Sequence, residues 1–584
     1  MFALIGVRAS GFAARSIRRD AVSAAHLLSV ALIAGAIASC GGGHSGSGPE
    51  TDDDFPLPLA SGMAPTPPMG WNSWNKFGCS INEDFVKRTA DAMVSLGMKD
   101  AGYQYVNIDD CWSIESAARA ADGSIQPDPV RFPSGIQAVA DYLHSKGLKL
   151  GIYGDRGSET CGHRAGSGGH EMQDAATFAM WGVDYLKYDN CPDPGPNPGP
   201  IIQPEYQAMR DALDTAGRPI VYSVCAWSFY EWANEMGNLQ RTTTDIKNEW
   251  PSIVANIKSN QAVAGYAGPN HWNDPDMLEV GNSDNGAGPV TDVENQSHFS
   301  MWAIASAPLI AGNNLFDVNM SAATKSILTN TEIIAVDQDA FGLQGVRVWQ
   351  NDAGDQSVWA KPLNANGTRA VVLLNETAAA ADMTTSFADI GLGPGSVTVR
   401  DLQTHADLGT AKDSFTINVA SHGTATLTII GNEPARPKGS AYLSDYTPIY
   451  AANGLGPVES DTNNGGTAAR DGVPIKIRGQ TFSKGLGTAA PAAVIYRLGA
   501  KCSRFSATVG VDDATNGQGS VRFQVIADGD ILFDSMNVTG TTAAMVIDVD
   551  ITGKRRLKLH VTNADDGAAQ DRASWGDAKV ECER

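Results

Sequence analysis

The sequence predicts a (β/α)₈ barrel over residues 65–340, then an antiparallel β-sandwich over residues 341–432 and a second, jelly-roll-like β-sandwich module over residues 441–584. Two observations support this order. In the first segment an amphipathic helix, a glycine and a short apolar strand recur, whereas the later segments contain only short alternating strands. Parallel strands joined by helices over such a length are typical of a (β/α)₈ barrel, with a doubly wound sheet as the alternative.

The first 40 residues predict an export signal. Several arginines precede an apolar run from Ala21 to Ala38, which closes on Ser39 and Cys40. Small residues before a cysteine resemble the bacterial lipobox, so Cys40 is the expected lipidation site. Ordinary signal cleavage and, from Arg18-Arg19, twin-arginine export are the alternatives. Residues 41–64 predict a flexible linker. We therefore expect an exported lipoprotein of the bacterial periplasm or cell envelope.

One repeating unit of the barrel shows the pattern. Ser134 is a candidate N-cap for a helix that places Ile136, Val139 and Leu143 on one face, and Gly147 ends that helix before a strand at 148–153. The same order predicts helices at 82–97, 171–182 and 204–217, followed by strands at 103–109, 183–189 and 219–225.

The two later segments contain few residues of catalytic type. We expect the sandwich at 341–432 to pack against the barrel rather than to bind sugar, and residues 433–440, with two prolines, to form a linker. In the last module, Trp575 with Asp512 and Asp577 fits two interpretations. These residues form either a sugar platform or a buried tryptophan with aspartates that cap turns.

Composition narrows the class of ligand. The chain has 584 residues and a formal net charge of −22, without a long basic run. This charge argues against a nucleic-acid partner and against an anionic membrane surface, so a lipid anchor is the only membrane contact expected. It favours a soluble protein that handles neutral ligands. The sequence does not predict an oligomeric state.

Polar residues end several of the predicted strands. In a parallel barrel the carboxyl ends of the strands converge on one mouth, so these side chains are expected to cluster there. A single aspartate at a strand end is more often a helix cap or a loop hydrogen-bonder, but so many together point to a site. The expected cluster is Trp71, Trp74, Asp109, Asp110, Tyr153, Asp155, Lys187, Asp189, Trp227, Arg241, Asp245, Asn273, Asp274 and Asp276.

Two aspartates in this cluster suggest hydrolysis of a glycosidic bond. Asp189 and Asp245 each end a predicted buried strand, and most glycosidases use one carboxylate at the anomeric centre and a second as acid. Lys187 lies two residues before Asp189, on the same face of the strand, and is expected to keep Asp189 ionised. Asp245 must hold a proton, which requires burial or a nearby negative charge.

Four motifs resemble glycoside hydrolase family 27, which contains α-galactosidases and α-N-acetylgalactosaminidases. They are Pro67–Trp74, Asn107–Trp112, Tyr185–Asn190 and Trp272–Leu278. The resemblance implies that Asp189 is the nucleophile of a covalent β-galactosyl intermediate and that Asp245 is the acid/base, with retention of configuration. Retention in turn predicts a separation of about 5–5.5 Å between the two carboxyl groups.

The resemblance also implies which residues bind the sugar. Asp109 and Asp110 would bind O6 and the axial O4, and Asp276 the O2 side. Lys187 and Arg241 would bind ring hydroxyls. The apolar sugar face would lie on aromatic residues, and the expected aromatic members of the site are Trp74, Tyr153 and Trp227.

The sequence departs from the family near the sugar C2. Many α-galactosidases of the family read Cys-Glu-Trp after the fifth strand, whereas this chain has Cys225-Ala226-Trp227, and Ala226 removes a carboxylate. A small residue there resembles the galactosaminidases, but Phe229 is bulky where those enzymes tend to have a small side chain. We therefore expect an exo-acting α-galactosidase that cleaves galactose-capped oligosaccharides or polysaccharide side chains. An α-N-acetylgalactosaminidase and then a β-L-arabinopyranosidase are the alternatives, and a non-catalytic galactose-binding protein is the alternative of another class.

The cysteines of an exported chain are first candidates for disulfides. Cys79 and Cys111 could close one loop, Cys161 and Cys191 a second, and Cys502 and Cys582 could join the ends of the last segment. The resemblance supports the second pair and leaves Cys225 as a free buried thiol. In the last segment, residues 484–487, 509–513 and 573–578 resemble the novel putative carbohydrate-binding module. No metal and no organic cofactor is expected.

Overall fold

The computed structural model describes residues 61–192, 195, 199–283, 290–564 and 566–584. The predicted export signal, the lipidation site Cys40 and almost all of the predicted linker at 41–64 lie outside the described residues. Within the described part of the chain, no helix has the length and apolar character needed to cross a bilayer.

Eight parallel strands form the barrel in the order β7-β6-β5-β4-β3-β2-β1-β8. Residues just beyond β7 complete the ring, because Leu278 N–H donates to the Ile310 carbonyl at 2.8 Å and Leu278 forms a parallel bridge to Ala311. The predicted fold class is confirmed. The strands are β1 Met69–Asn72, β2 Tyr105–Ile108, β3 Lys149–Asp155, β4 Tyr185–Asp189, β5 Val221–Val224, β6 Leu239–Arg241, β7 Trp272–Asp274 and β8 Leu309–Ala311.

Helices surround the barrel. They are α1 Trp74–Phe77, α2 Glu83–Ser95, α3 Met98–Ala101, α4 Gly135–Ser145, α5 Glu171–Met180, α6 Gly199–Thr215, α7 Trp250–Gln261, α8 Asp292–Ile304, α9 Ala322–Leu328 and α10 Thr331–Asp337. Helix α4 buries Ile136, Val139 and Leu143 as predicted. Ser134 makes no side-chain cap, however, and its backbone N–H instead donates to Glu83 Oε2 at 3.0 Å.

Two helical regions differ from the predicted pattern. Helix α6 begins at Gly199, ahead of the predicted start at 204, and Pro204 lies inside it. Between β5 and β6 the chain forms a 3₁₀ helix, Glu231–Glu235, instead of an α-helix. Trp71 belongs to the core rather than to the mouth, since it is fully buried and its indole N–H donates to the Asn313 carbonyl at 2.8 Å.

The second segment is one antiparallel sheet in the order β12-β15-β14-β13-β16-β11-β10-β9. Strand β11 is buried along its whole length: Val371 and Leu373 enter the core of the sandwich, and Val372 and Leu374 join the core of the barrel. The sheet therefore packs against the barrel, as expected. Its strands are β9 Val346–Gln350, β10 Gln356–Pro362, β11 Thr368–Asn375, β12 Ala381–Ser386, β13 Gly393–Asp401, β14 Ala406–Lys412, β15 Ser414–Val419 and β16 Thr424–Asn432.

The last module contains two main antiparallel sheets, β19-β22-β29-β24-β27 with β17, and β18-β23-β28-β25-β26, and a β20-β21 hairpin. Its strands are β17 Ser440–Tyr442, β18 Tyr450–Ala452, β19 Glu459–Ser460, β20 Ile475–Ile477, β21 Gln480–Phe482, β22 Gly485–Ala489, β23 Ala492–Arg497, β24 Cys502–Val511, β25 Ser520–Ala527, β26 Asp530–Thr539, β27 Met545–Asp550, β28 Arg556–Thr562 and β29 Arg572–Cys582.

Trp575 is a core residue of this module. Its side chain is fully buried and packs edge-on against Phe523, with 5.1 Å between the ring centres. Asp512 is also buried and accepts hydrogen bonds from Asn463 Nδ2 at 2.7 Å and Ser574 Oγ at 2.8 Å. The sugar-platform interpretation is therefore wrong for Trp575, because no face of its ring is open to a ligand.

Three disulfides join Cys79 to Cys111, Cys161 to Cys191 and Cys502 to Cys582. Cys225 is free and buried. Burial raises the pKa of the Cys225 thiol well above its ordinary value, so the group is neutral in the folded protein.

Candidate active site

A small cavity of about 120 Å³ lies at the carboxyl ends of the barrel strands. All ten residues that the sequence predicts as catalytic or sugar-binding line it. These are Trp74, Asp109, Asp110, Tyr153, Lys187, Asp189, Trp227, Arg241, Asp245 and Asp276. The strand ends of a parallel barrel thus bring together residues from widely separated parts of the chain. Three other members of the predicted cluster, Asp155, Asn273 and Asp274, do not line the cavity.

Asp189 is held by three neutral donors, one from strand β3, one from the loop after β5 and one from the next residue in the chain. Its Oδ2 accepts the Tyr153 hydroxyl at 2.9 Å, and its Oδ1 accepts the Trp227 indole N–H at 2.8 Å and the Asn190 backbone N–H at 2.9 Å. The residue is only 7% exposed. Hydrogen bonds to both oxygens fix the direction of the carboxylate.

Lys187 pairs with Asp109 rather than directly with Asp189. Its Nζ lies 2.8 Å from Asp109 Oδ2 and 5.2 Å from the centre of the Tyr153 ring. Burial lowers the pKa of Lys187, but the negative charges of Asp109 and Asp189 outweigh burial and raise the pKa well above its ordinary value. The Lys187 ammonium is therefore a fixed positive charge in the lining of the cavity.

Asp109 and Asp110 form an acceptor pair at the end of β2. Asn72 Nδ2 also donates to Asp109 Oδ2, at 2.8 Å. Asp110 accepts the Thr160 hydroxyl at 2.9 Å and the Gly162 N–H at 2.6 Å. Burial raises the pKa of Asp110 despite these hydrogen bonds. Both carboxylates are buried and oriented, so each presents a fixed acceptor edge.

Arg241 lies between two carboxylates on the opposite wall. Its Nη2 is 3.1 Å from Asp276 Oδ2 and 3.1 Å from Asp245 Oδ1. Asp276 is also fixed by the Ile246 N–H at 2.8 Å and the Met277 N–H at 2.7 Å. The sequence left open whether Arg241 faces Asp245 or the cavity; the guanidinium bonds to Asp245 and also lines the cavity.

Asp245 is the most exposed of the ionised groups around the cavity. Its side chain is 77% exposed, and the only side chain that bonds it within the described residues is Arg241. The cavity walls partly desolvate the carboxyl and raise its pKa, but the charges of Arg241 and Lys187 outweigh this effect and lower the pKa of Asp245. The raised pKa expected for an acid is therefore not present in the empty cavity.

Two residues that line the cavity, and Cys111 next to the lining residue Asp110, have backbone conformations that are rare for residues other than glycine. Cys111, Trp227 and Asp276 have φ values of +73°, +59° and +88°. Each such residue costs about 1–3 kcal/mol and persists only where surrounding contacts hold it. At Trp227 the hydrogen bond to Asp189 is such a contact, and at Asp276 the contacts are Arg241 and two backbone N–H groups.

Asp155 lies directly behind the cavity wall. It is opposite Asp189 in the β3–β4 register and is fully buried. Burial and the Asp189 charge raise the pKa of Asp155 to about 8. Asp155, Cys161 and Cys191 bring three potential metal-ligand atoms together, but both sulfurs belong to one disulfide and offer no thiolate. The donor set does not fit a metal.

The region near the expected sugar C2 contains little bulk. Ala226 is buried and does not line the cavity. Phe229 packs against Tyr266, with 4.7 Å between the ring centres, and also does not line the cavity. The large side chain that the sequence suggested as an obstacle at C2 is therefore turned elsewhere.

Sequence reasoning did not predict four residues of the cavity lining as sugar contacts: Asn75, Cys161, Ile246 and Met277. Asn75, Ile246 and Met277 directly follow the predicted residues Trp74, Asp245 and Asp276, so proximity in sequence was a usable signal. The Asn75 amide is fixed by Glu279, with Nδ2 2.7 Å from Oε1.

Comparisons with known proteins agree with this geometry. The profile of the family described as Alpha galactosidase A matches residues 66–339, that of the Alpha galactosidase C-terminal beta sandwich domain matches 353–429, and that of the NPCBM/NEW2 domain matches 439–581. The chain is 48% identical to an alpha-galactosidase of Cyamopsis tetragonoloba over 367 residues, which are 62% of this chain and 85% of the relative.

Two solved structures are also similar. Alpha-galactosidase I from Mortierella vinacea has a TM-score of 0.59 and 37% identity, over 63% of this chain and 98% of that chain. The alpha-galactosidase from Saccharomyces cerevisiae solved with raffinose has a TM-score of 0.56 and 31% identity, over 62% of this chain and 97% of that chain.

Proposed function

The chain belongs to the alpha-galactosidase family, glycoside hydrolase family 27, and on that basis we propose that this glycoside hydrolase is an exo-acting, retaining α-galactosidase. The observation that supports this most strongly is the cavity itself. It brings together Asp189, at the end of β4, and Asp245, in the loop after β6. The first is buried and hydrogen-bonded and the second is exposed. These are the two environments that a nucleophile and an acid/base require.

In the first proposed step Asp189 attacks the anomeric carbon. One carboxylate oxygen forms the new C–O bond while the glycosidic C–O bond breaks, and Asp245 gives its proton to the departing oxygen. Tyr153 and Trp227 hold Asp189 along the line of attack. The product is a β-galactosyl ester of Asp189 and a free alcohol.

In the second step Asp245 acts as a base. It takes a proton from a water molecule, the water oxygen bonds to the anomeric carbon, and the ester bond to Asp189 breaks. Galactose leaves with its original α configuration, Asp189 is again a carboxylate, and Asp245 is again protonated. Asp245 can serve both steps because its carboxyl group is open to solvent.

Substrate binding rests on the fixed acceptors. We infer that Asp109 and Asp110 accept O6 and the axial O4, because an epimer with its O4 displaced would leave a buried carboxylate unpaired. Arg241 and Asp276 would bind the side of the ring that carries O2, and Trp74 the apolar face. A cavity of about 120 Å³ suits a single sugar ring and hence cleavage at chain ends. The substrates would be oligosaccharides or polysaccharide side chains that end in α-galactose.

Ala226 favours one second candidate, an α-N-acetylgalactosaminidase, because it removes a carboxylate near C2 and Phe229 is turned toward Tyr266. A β-L-arabinopyranosidase is less favoured, because Asp109 and Asp110 offer acceptors to a C6 hydroxyl that arabinose lacks. We expect p-nitrophenyl α-galactoside to be hydrolysed faster than its N-acetyl analogue. Exclusive turnover of the N-acetyl analogue would replace the proposed substrate while leaving the mechanism in place.

The retaining mechanism has its own test. We expect the Asp189→Gly variant to be inactive and added azide to restore turnover with β-galactosyl azide as product, because the small anion enters where the carboxylate was. Product stereochemistry is read by proton NMR. Isolation of only the α-azide would refute Asp189 as the nucleophile.

We also propose that the protein is exported and anchored through a lipid on Cys40. The support is the apolar run that ends at Ser39-Cys40. The full chain expressed in a bacterial host should partition into detergent, whereas the Cys40→Ala variant should appear in the aqueous phase. Equal partition of the two proteins would rule out lipidation at Cys40.

A further inference from the structure

Three cavities adjoin along the junction of the sandwich and the last module. Their volumes are about 310, 220 and 580 Å³. The first two share Val348 and Asp389, and the third shares Ser386 with the first and Thr447 with the second. Because every pair of cavities shares a wall, they are treated together and are here called the junction groove. It is built from parts of β9, β10, β12, the 387–395 segment and residues 445–451, and none of its residues lines the cavity that contains Asp189 and Asp245.

A half-exposed tryptophan lines the first cavity of the junction groove. Trp349 lies on β9, the edge strand of the sandwich, and is 41% exposed. Its indole N–H makes no hydrogen bond within the described part of the chain. By contrast, the neighbouring Trp359 is 1% exposed and its indole N–H donates to Ser357 Oγ at 2.9 Å. An open indole face beside a free N–H is suited to stacking on the apolar face of a sugar ring and hydrogen-bonding its edge.

Unpaired polar groups surround Trp349. The Asp389 carboxylate and the Gln356 amide line the same cavity, and neither side chain has a partner among the described residues. Thr385 also lines this cavity and is 1% exposed, and its buried hydroxyl has no hydrogen-bond partner in the part of the chain that the structure describes. A buried polar group without a partner costs about 1–3 kcal/mol, so native proteins retain few of them.

We propose that the junction groove binds a neutral oligosaccharide segment, with Trp349 as the stacking platform and Asp389 and Gln356 as partners of the sugar hydroxyls. Among the described residues, the cavity around Trp349 contains acceptors and donors but no lysine or arginine, and Lys361, which lines the second cavity, is 2% exposed and donates to Ser306 Oγ. The formal net charge of −22 also disfavours polyanions. Asp382, the other acid of this cavity, already accepts Asn418 Nδ2 at 2.8 Å. Three adjoining cavities of about 310, 220 and 580 Å³ give room for more than one sugar unit.

Such a site goes beyond the proposed hydrolysis. A polymer held in the junction groove would raise the effective concentration of its side chains near the enzyme without adding a contact in the catalytic cavity. Variants of the groove should therefore change binding to polymers while leaving the turnover of small substrates unchanged.

Affinity electrophoresis of the full chain tests this directly. The protein is run through gels containing galactomannan, polygalacturonate or chitosan, with free galactose present to occupy the catalytic cavity. We expect galactomannan to retard the wild type and Trp349→Ala to weaken the retardation by about tenfold. Leu408→Ala is the matched control, because Leu408 is an exposed apolar residue of the same sheet, outside the groove. All three proteins should hydrolyse p-nitrophenyl α-galactoside equally.

Several outcomes would overturn the proposal. They are a wild type that galactomannan does not retard, and a Trp349→Ala variant that is retarded like the wild type. Retardation only by polygalacturonate would show that the groove binds an anionic sugar polymer instead. Retardation only by chitosan, weakened by salt, would show that it binds a cationic one. If Trp349→Ala does not fold, as judged by thermal melting, Asp389→Asn replaces it with the same expectation. This experiment measures binding and not hydrolysis. A protein that does not hydrolyse α-galactosides would contradict the proposed function, but retardation by galactomannan would still support the binding site.

Discussion

Two aspartates on different walls of the cavity, Asp189 and Asp245, differ in solvent exposure and in hydrogen bonding. Asp189 is 7% exposed and receives three hydrogen bonds, whereas the side chain of Asp245 is 77% exposed and is bonded by a single guanidinium. The donors to Asp189 are neutral, whereas the partner of Asp245 is a cation that it shares with Asp276. The first carboxylate is fixed before substrate arrives, and the second is left adjustable.

This difference matches what each proposed role demands. A nucleophile reacts faster when its orientation is set in advance, because no freedom is lost in the transition state. An acid/base must change its protonation state twice in one cycle, so its pKa must respond to what occupies the cavity. Arg241 and Lys187 lower the pKa of Asp245 when the cavity is empty. A sugar that displaces water from the exposed carboxyl would act in the opposite direction.

Loss of the fixed carboxylate should have the largest effect. We expect Asp189→Asn to lower kcat by about 10⁴-fold or more for every α-galactoside, because no other group can form the ester. Binding of galactose, measured by calorimetry, should persist, since the amide can keep one acceptor toward Tyr153 or Trp227. A variant that retains more than about one per cent of wild-type kcat would remove Asp189 from its role.

The effect of losing the Asp245 carboxylate should depend on the substrate. For Asp245→Asn we expect kcat on an unactivated galactosyl disaccharide to fall by about 10²–10⁴-fold, because the departing alcohol needs a proton. The first step with p-nitrophenyl α-galactoside should be affected far less, because nitrophenolate leaves without one. Pre-steady-state release of nitrophenol separates that step from hydrolysis of the ester. Equal losses of the first step for both substrates would contradict the assignment.

The sequence predicted this contrast only in part. Motifs at strand ends identified all ten predicted residues of the cavity lining, because barrel topology alone brings strand ends together. The hydrogen bonds could not be predicted in the same way. Lys187 shares a strand face with Asp189 yet pairs with Asp109, since the choice depends on the distances between neighbouring strands.

Two elements outside the cavity show the same limit. Trp575 is of the residue type that forms sugar-binding platforms, and only the packing of two sheets shows that it is buried. The connection from β5 to β6 lacks the α-helix that the repeating pattern suggested and forms a 3₁₀ helix instead. Local sequence thus predicted the barrel and its mouth, whereas long-range packing decided which side chains are open.

Removing one donor from the fixed wall should have an intermediate effect. Tyr153→Phe deletes the hydroxyl that bonds Asp189 and keeps the ring beside Lys187. A hydrogen bond to a charged group is worth about 1.5–3 kcal/mol, so we expect kcat to fall by about 10–150-fold with little change in KM. Tyr206→Phe is the matched control, since that hydroxyl donates to the backbone carbonyl of Asp189 rather than to its carboxylate. Equal losses in the two variants would show that orientation of the carboxylate is not the cause.

The smallest expected effect is a displacement between two pH profiles. Asp245 must be protonated to act as an acid, so the rate falls as pH rises through its pKa. For kcat/KM this basic limb reports the free enzyme, where Arg241 and Lys187 lower the pKa of Asp245. The basic limb of kcat reports the enzyme–substrate complex. There a neutral sugar has replaced water around the exposed carboxyl group of Asp245 and raised its pKa.

With an unactivated substrate the basic limb of kcat should therefore lie at a higher pH than that of kcat/KM, and KM should rise across the interval between them. Coincident limbs would mean that the pKa of Asp245 does not respond to the sugar. The contrast between the two walls would then reflect solvent exposure alone rather than a division between a preset nucleophile and an adjustable acid.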